Sequence, residues 1–178
     1  MTSHKIWDPF VRIFHWSLVG LFAANALIVD DDSWIHEWVG YGIATLIALR
    51  IVWGFVGPRS ARFASFMPDM RAIIAQLGDI ATRRRRTHPG HSPLGALMIF
   101  ALLLSLAGIC ASGYMMTTNA FRGIEWVEEG HEALVTGAEI LIVLHVAAVM
   151  FESRRTGVNL ARAMITGTKR MPDDTTLV

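Results

Sequence analysis

The chain has 178 residues, of which 53% are hydrophobic and only 17% are charged, and its mean hydropathy is +0.42. This composition is typical of a membrane protein and unlike that of a soluble domain. The formal net charge is +1, and because the sequence contains no internal repeat or nucleic-acid-binding motif, we expect no nucleic-acid partner.

Four apolar segments are long enough to cross about 30 Å of hydrocarbon as helices. They cover residues 9–29, 34–56, 93–117 and 130–151. We therefore predict an all-α integral membrane protein, a single domain over residues 1–178 that forms a four-helix transmembrane bundle. The single cysteine, Cys110 in the third segment, supports neither a disulfide nor a thiolate metal site.

The first two segments each contain one histidine and one arginine on the same helical face. His15 lies about 9 Å into the first segment, one turn after Arg12. His36 lies at the beginning of the second segment, and Arg50 follows it by fourteen residues. This spacing places Arg50 about 21 Å deeper than His36 and at nearly the same angle around the helix axis.

The long connection at residues 57–92 contains a predicted amphipathic helix. Its apolar residues recur at helical spacing, and an arginine run at residues 83–86 follows them. These apolar residues are Met70, Ile73, Ile74, Leu77 and Ile80. We predict that this helix lies on the membrane surface. The arginine run also has a simpler explanation, as a topology signal that faces anionic lipid.

The fourth segment has one histidine at each end, His131 and His145, fourteen residues apart. The two imidazoles are therefore about 21 Å apart along the helix axis and about 40° apart around it. His145 is six residues from the end of its segment, which matches the depth of His15. His131 lies at the same end of the bundle as His36. The histidines thus form two depth-matched pairs.

Two such pairs favour two b hemes, each bound by two histidines. A neutral imidazole buried in an apolar bundle needs a proton or a metal for its electron pair, and a planar iron macrocycle satisfies two imidazoles at once. Arg12 and Arg50 would then bind the propionates of the inner heme, on His15 and His145. Both arginines could instead extend to the membrane surface. The alternatives are packing histidines, or a heme-free membrane metal-binding protein or transporter.

Glycines in the predicted spans could admit flat rings between the helices, or they could serve only close helix packing. They are Gly20, Gly40, Gly42, Gly108, Gly113 and Gly137. Glu139, near the middle of the fourth segment, lies away from the histidine face. It could relay protons, or it could be a protonated side chain bonded to a neighbouring helix.

Lysine and arginine are distributed unevenly between the two ends of the predicted bundle. The end that holds both chain termini and residues 57–92, here called the basic end, carries almost all of them. They are Lys5, Arg12, Arg50, Arg59, Arg62, Arg71, Arg83 to Arg86, Arg154, Arg155, Arg162, Lys169 and Arg170. The opposite end, here called the acidic end, has only Arg122. Because cytoplasmic loops carry the excess of lysine and arginine, we expect both termini in the cytoplasm.

The acidic end carries two groups of carboxylates beside the outer histidine pair, His36 and His131. They are Asp30, Asp31, Asp32 and Glu37 in one group, and Glu125, Glu128, Glu129 and Glu132 in the other. We expect these side chains to surround the outer heme and to attract a basic soluble redox protein. They could also serve only solubility.

The stretches WDPFVRIFHW, HEWVGYGIATLIALRIVWGFVGPRSARF and GHSPLGALM, with the His131 to His145 spacing, resemble the bacterial cytochrome b561 family. The related b-type cytochrome subunits of nickel-iron hydrogenases share this pattern. The resemblance covers nearly the whole chain. It implies a four-helix cytochrome of the bacterial inner membrane with two b hemes, on His15, His36, His131 and His145.

The resemblance also implies electron transfer between the quinone pool and a redox partner, which we expect to be a soluble periplasmic protein. Whether the chain is itself a quinol or quinone oxidoreductase, or a cytochrome subunit of one, stays open. His91, in GHSPLG at the start of the third segment, could act as a proton donor to a quinone headgroup. It could also have only a structural role at the beginning of this helix.

Overall fold

The computed structural model describes residues 2–84, 86–88, 90–171 and 176–177. Four long helices cross from end to end, each apolar and long enough to span a membrane. They are α1 (Pro9–Leu27), α2 (Trp34–Val56), α4 (Pro93–Thr117) and α5 (Glu125–Thr156). Two shorter helices, α3 (Met70–Ala81) and α6 (Leu160–Thr166), lie at the basic end. The predicted all-α, four-span bundle is confirmed.

Side-chain caps fix where three of the spans begin. Asp8 Oδ1 accepts a hydrogen bond from the amide of Val11, and the hydroxyls of Ser33 and Ser92 cap α2 and α4 in the same way. Pro9 and Pro93 occupy the first helical positions of α1 and α4, where no amide proton is needed. The predicted first residues of these helices therefore agree with the structure.

The fourth span is longer than the predicted segment 130–151. Helix α5 covers Glu125–Thr156, because acidic side chains in its first turn and basic side chains in its last turn suit the helix dipole. It ends at Gly157, whose φ of 73° lies in the left-handed region that glycine tolerates. The charged turns extend the helix beyond the apolar segment at both ends.

The bundle packs in the order α1, α2, α4 and α5, with the most extensive contact between α4 and α5. Its central apolar cluster is formed by Ile43 and Ile47 on α2 with Leu106 on α4. Leu18 and Leu21 of α1 pack against this cluster. Helices α1 and α2 are thus held to α4, and α5 is held mainly by α4.

The two ends of the chain pair with each other at the basic end, which the sequence did not predict. Strand β1 (Thr2–Lys5) pairs antiparallel with β3 (Thr168–Met171). The amides of Ile6 and Trp7 both donate to the carbonyl oxygen of Gly167. A second, parallel pair joins β2 (Arg86–Thr87) to β4 (Thr176–Leu177). These strands cover the basic end of the bundle.

Candidate functional site

The structure brings His15 on α1 and His145 on α5 together near the basic end. Their ring centroids are 6.5 Å apart, and the ring planes are inclined by 55°. Equal depth on two helices produces this contact, because each histidine is about six residues from the end of its apolar segment. We call these two residues the inner pair.

The structure also brings His36 on α2 and His131 on α5 together near the acidic end. Their ring centroids are again 6.5 Å apart, with an interplanar angle of 68°. Nδ1 of His131 lies 2.9 Å from the hydroxyl oxygen of Ser112 on α4. We call His36 and His131 the outer pair. Helix α5 therefore contributes one histidine to each level.

The ring separation within each pair fits two nitrogens on opposite sides of one metal ion. A metal–nitrogen bond of about 2 Å on each side, with about 1.1 Å from nitrogen to ring centroid, places the centroids about 6.3 Å apart. A bare tetrahedral ion would bring the two centroids to about 5 Å. The observed 6.5 Å therefore fits the two axial ligands of a heme better than two ligands of a zinc ion.

Buried polar atoms without a partner are concentrated on one half of the bundle. Among the described residues eight such side-chain atoms occur, and seven belong to α1, its cap or α2. The seven are Asp8 Oδ2, Arg12 Nε, His15 Nδ1, Asn25 Oδ1, His36 Nδ1, Arg50 Nη1 and Trp53 Nε1. Buried polar groups normally have hydrogen-bond partners, so these atoms fit a polar group bound between the helices.

Five of the six glycines divide into two groups, and the sixth, Gly42, makes an ordinary contact, since a Cβ atom there would lie 3.7 Å from Cδ1 of Leu21. A Cβ atom at Gly20, Gly40 or Gly137 would meet no other atom within 4 Å, so open space adjoins these positions. A Cβ at Gly113 would lie 3.2 Å from Cε1 of His131, and one at Gly108 would lie 3.2 Å from Leu134. Gly108 and Gly113 therefore serve the close packing of α4 on α5, whereas the first group leaves room for a flat ring.

Arg50 is only 4% exposed and lies at the basic end of α2. Its Nη2 donates to the carbonyl oxygen of Ala61 at 3.2 Å, and its guanidinium carbon lies 4.6 Å from the centroid of the Phe63 ring. Its Nη1 has no hydrogen-bond partner in the part of the chain that the structure describes. The loop after α2 thus fixes one side of the guanidinium and leaves one donor for an anionic group.

Arg12 contacts the C-terminal part of the chain. Its Nη1 donates to the carbonyl oxygen of Ile165 at 2.8 Å, close to the end of α6. Its Nε is buried and has no partner within residues 2–84, 86–88, 90–171 and 176–177. Arg12 therefore joins α1 to α6, a contact that sequence reasoning missed, and it retains one free donor on the side chain that precedes His15 by one turn.

His91 is packed between two aromatic side chains at the basic end. Its ring centroid lies 4.6 Å from that of Trp7 and 4.1 Å from that of Phe66. Burial, together with the positive charges of Arg50 and Lys169, lowers the pKa of His91 to about 3. His91 is therefore neutral at cellular pH. It can donate a hydrogen bond through its N–H group, but it does not store a proton as an imidazolium ion.

A cavity of about 330 Å³ adjoins His91. Its walls include Arg59, Ser60, Ser65, Phe66 and His88. The buried ammonium group of Lys169 donates to the carbonyl oxygens of His88 at 2.7 Å and Gly90 at 3.3 Å, which fixes the loop that precedes His91. Burial lowers the pKa of Lys169 to about 8. The cavity therefore combines an aromatic wall with polar donors.

Glu139 is exposed on the surface of α5. No hydrogen bond to another described residue is present, so neither an internal proton relay nor a bond to a neighbouring helix of this chain is visible. At the acidic end, every carboxylate of the two predicted groups is exposed. These side chains are thus free to meet a soluble molecule.

Sequence reasoning missed three polar residues of the spans. Ser112 contacts His131, and Asn25 and Trp53 each have a buried polar atom without a partner among the described residues. The depth comparison that selected the histidines could have found Ser112, which lies five residues before the end of α4, opposite the first turns of α5. Trp53 follows Arg50 by three residues and shares its face. No sequence signal distinguishes Asn25 from other polar residues near the end of a span.

The model of the prokaryotic cytochrome b561 family matches residues 6–167. The match covers all four spans and both histidine pairs. No curated protein and no solved structure matches the chain.

Proposed function

Because the chain belongs to the prokaryotic cytochrome b561 family, whose members transfer electrons across the membrane through b-type heme, we propose that it connects the quinone pool to a soluble redox protein through two hemes. The inner heme would be held by His15 and His145, and the outer heme by His36 and His131. The observation that carries this proposal is the equal 6.5 Å separation of the rings in both pairs.

Each b heme, when bound, supplies an iron that gains and loses one electron at a time. The chain would supply the histidine nitrogens that hold the iron and the electrostatic surroundings of the heme. Ser112 orients the ring of His131, because the serine hydroxyl contacts Nδ1 and leaves Nε2 for the metal. The open space beside Gly20 on α1, Gly40 on α2 and Gly137 on α5 would let a planar ring approach these helices closely.

Three buried donors at the basic end favour an anionic group beside the inner pair. They are Arg12 Nε, Arg50 Nη1 and Trp53 Nε1, none of which has a partner among the described residues. Carboxylates such as heme propionates accept hydrogen bonds from arginine and indole N–H groups. We assign these three side chains to the propionates of the inner heme.

The orientation of the chain in the membrane follows from the distribution of its lysine and arginine residues. Strand β1, near the start of the chain, and strand β3, near its end, pair with each other at the basic end. Lysine and arginine are concentrated on the cytoplasmic side of membrane proteins. We therefore place the basic end and the inner pair on the cytoplasmic side, and the outer pair on the periplasmic side.

We place quinone exchange in the cavity beside His91. The rings of Phe66 and His91 provide a flat apolar wall, and Ser60, Ser65 and the neutral N–H of His91 provide hydrogen-bond partners for quinone oxygens. Phe63 packs against both Phe66 and Arg50, so this wall is continuous with the surroundings of the inner pair. A quinol bound here would be close to the inner heme.

A reduced-minus-oxidised visible spectrum and a heme determination test the first part of the proposal. We expect b-type bands and two hemes per chain. His15→Ala should remove one spectral component and His131→Ala the other, because the two levels on α5 are about 21 Å apart. Loss of the same component in both variants would refute the pairing. A spectrum without heme bands would instead favour the alternative, a heme-free metal-binding protein or transporter.

Stopped-flow reduction by a short-chain quinol tests the quinone site. The rate should fall about tenfold in His91→Ala while both hemes stay bound. Gly78→Ala on α3, where a Cβ meets no atom within 4 Å, provides a matched control at the same end of the chain. Equal rates in His91→Ala and the wild type would place the quinone site elsewhere.

A further inference from the structure

Helix α3 has two different apolar faces, only one of which is used inside the chain. Ile73 packs into the protein and is 7% exposed, and Gln76 on the same side is 5% exposed. On the adjacent side, Met70 is 68% exposed, Ile74 63% and Leu77 50%. These last three residues follow one another at intervals of four and three, so they form one continuous stripe along α3.

A hydrogen bond fixes the level of α3 relative to the membrane. Oε1 of Gln76 accepts a hydrogen bond from the amide of Leu94 at 2.9 Å. Leu94 is the second residue of α4, a span of 25 residues. Because α4 enters the bilayer at this point, α3 must lie beside the boundary between the hydrocarbon and the aqueous phase.

The charges next to the stripe are suited to lipid phosphates. Arg71 is exposed in the first turn of α3, and Arg83 and Arg84 are exposed directly after its end. Of the two aspartates nearby, Asp79 is buried, whereas Asp69, which caps the N-terminus of α3, is exposed. Three exposed arginines against one exposed aspartate therefore leave a net positive charge beside the apolar stripe.

We propose that α3 is an in-plane membrane helix whose ligand is anionic phospholipid. Met70, Ile74 and Leu77 insert at the boundary between headgroups and acyl chains, and Arg71, Arg83 and Arg84 bind the lipid phosphates. Of the possible occupants of the stripe, lipid is favoured because α3 is held at the bilayer surface and because its flanking charges complement anionic headgroups. The inference does not depend on the number of hemes or on the quinone site.

Spin labels at two neighbouring positions test the orientation of α3. In full-length protein carrying Cys110→Ala, the variants Ile74→Cys and Ala75→Cys are labelled with a nitroxide and reconstituted into nanodiscs that contain phosphatidylglycerol. Both positions are exposed, but they differ by about 100° around the helix. We expect the label at position 74 to collide with oxygen dissolved in the lipid, and the label at position 75 to collide mainly with an aqueous nickel chelate.

Two outcomes would overturn this orientation. Equal exposure of both labels to the nickel chelate would mean that α3 lies in water. Protection of the label at position 74 from both oxygen and the chelate would mean that another protein surface covers the stripe. A reduced-minus-oxidised spectrum identical to that of the unlabelled protein shows that each variant is folded.

Lipid composition tests the proposed role of the arginines. We expect the oxygen-to-nickel accessibility ratio at position 74 to fall at least twofold when phosphatidylglycerol is replaced by phosphatidylcholine. The triple variant Arg71→Gln, Arg83→Gln, Arg84→Gln should lower the ratio in phosphatidylglycerol to a similar extent. A ratio that is the same in both lipids and in the triple variant would refute the binding of anionic headgroups.

Discussion

The hydroxyl group of Ser112 contacts Nδ1 of His131 at 2.9 Å and also lies within hydrogen-bond distance of the carbonyl oxygens of Gly108 and Ile109. A serine hydroxyl has one proton, so when it donates this proton to one of the carbonyl groups, its oxygen can accept a hydrogen bond from Nδ1–H of His131. In that tautomer of His131, Nε2 keeps the free electron pair that a metal requires.

Ser112→Ala should weaken the outer heme site without affecting the inner one. Loss of a partner that orients a metal-binding histidine commonly lowers metal affinity about 10- to 100-fold. The rate of heme transfer to an excess of apomyoglobin, followed separately for the two spectral components, measures this change. Ser105→Ala, one heptad earlier on α4, is the matched control. Equal heme loss from the Ser112 and Ser105 variants would refute the orienting role.

Arg50→Leu should lower the midpoint potential of the inner heme. A positive charge stabilises the added electron, by about 2 kcal/mol for charges about 8 Å apart at an effective dielectric constant of 20. Arg50→Lys keeps the charge and is the control for loss of the contact with Phe63. Spectroelectrochemical titration measures both potentials. If Arg50→Leu with a full complement of heme has the wild-type potential, the predicted propionate contact is wrong.

The depth of each histidine, counted in residues from the end of its apolar segment, was sufficient to predict the two pairs. The reason is that the rise per residue of a helix is fixed and that the apolar segments define where each helix ends. It also placed Arg50 at the level of the inner pair. It could not show that Ala61 and Phe63 hold one side of Arg50, since that contact depends on the path of the loop after α2. The sequence therefore predicted levels along the helices better than contacts made by connecting segments.

The same limit applies to the chain termini. The hydrogen bond from Arg12 to Ile165 joins residues 153 positions apart, and the pairing of β1 with β3 spans nearly the whole chain. Short polar strands with no alternating apolar pattern carry little local signal. The apolar periodicity of α3 was predictable, but only the burial of Ile73 and the bond between Gln76 and Leu94 show which side of the helix packs against the protein.

Gly54→Ala should disturb the loop that covers Arg50. A Cβ atom at this position would collide with the ring of Phe63, which packs against Arg50 and Phe100. We expect a loss of about 1–3 kcal/mol in stability from this overpacking, measured by thermal unfolding in detergent. Gly78→Ala, placed in open space on α3, should instead be neutral or stabilising by up to about 1 kcal/mol. Equal effects of the two substitutions would contradict the tight contact at Gly54.

His91 should make the protein sensitive to acid. Its pKa falls from 6.5 to about 3 on folding, so the unfolded chain binds a proton first as the pH is lowered. The free energy of unfolding therefore has its full value above about pH 6.5. It decreases towards pH 3, by at most about 1.4 kcal/mol per pH unit. His91→Phe retains an aromatic ring between Trp7 and Phe66 but does not titrate. Thermal unfolding at pH 7.5 and 5.5 should show a smaller decrease for this variant, and equal decreases would refute the prediction.

The exposed carboxylates at the acidic end should steer a basic redox protein to the outer heme. Asp30, Asp31 and Asp32 lie shortly before His36, and a second acidic group lies near His131. Opposite charges accelerate association, and salt screens this effect. The triple variant Asp30→Asn, Asp31→Asn, Asp32→Asn should react with a basic cytochrome c about five- to tenfold more slowly at low salt. Its rate should also depend less on ionic strength.

Asp69→Asn, which removes a carboxylate at the basic end, should leave both the rate and its dependence on ionic strength unchanged. If the triple variant keeps the wild-type rate and salt dependence, these acids serve solubility and the docking proposal must be abandoned.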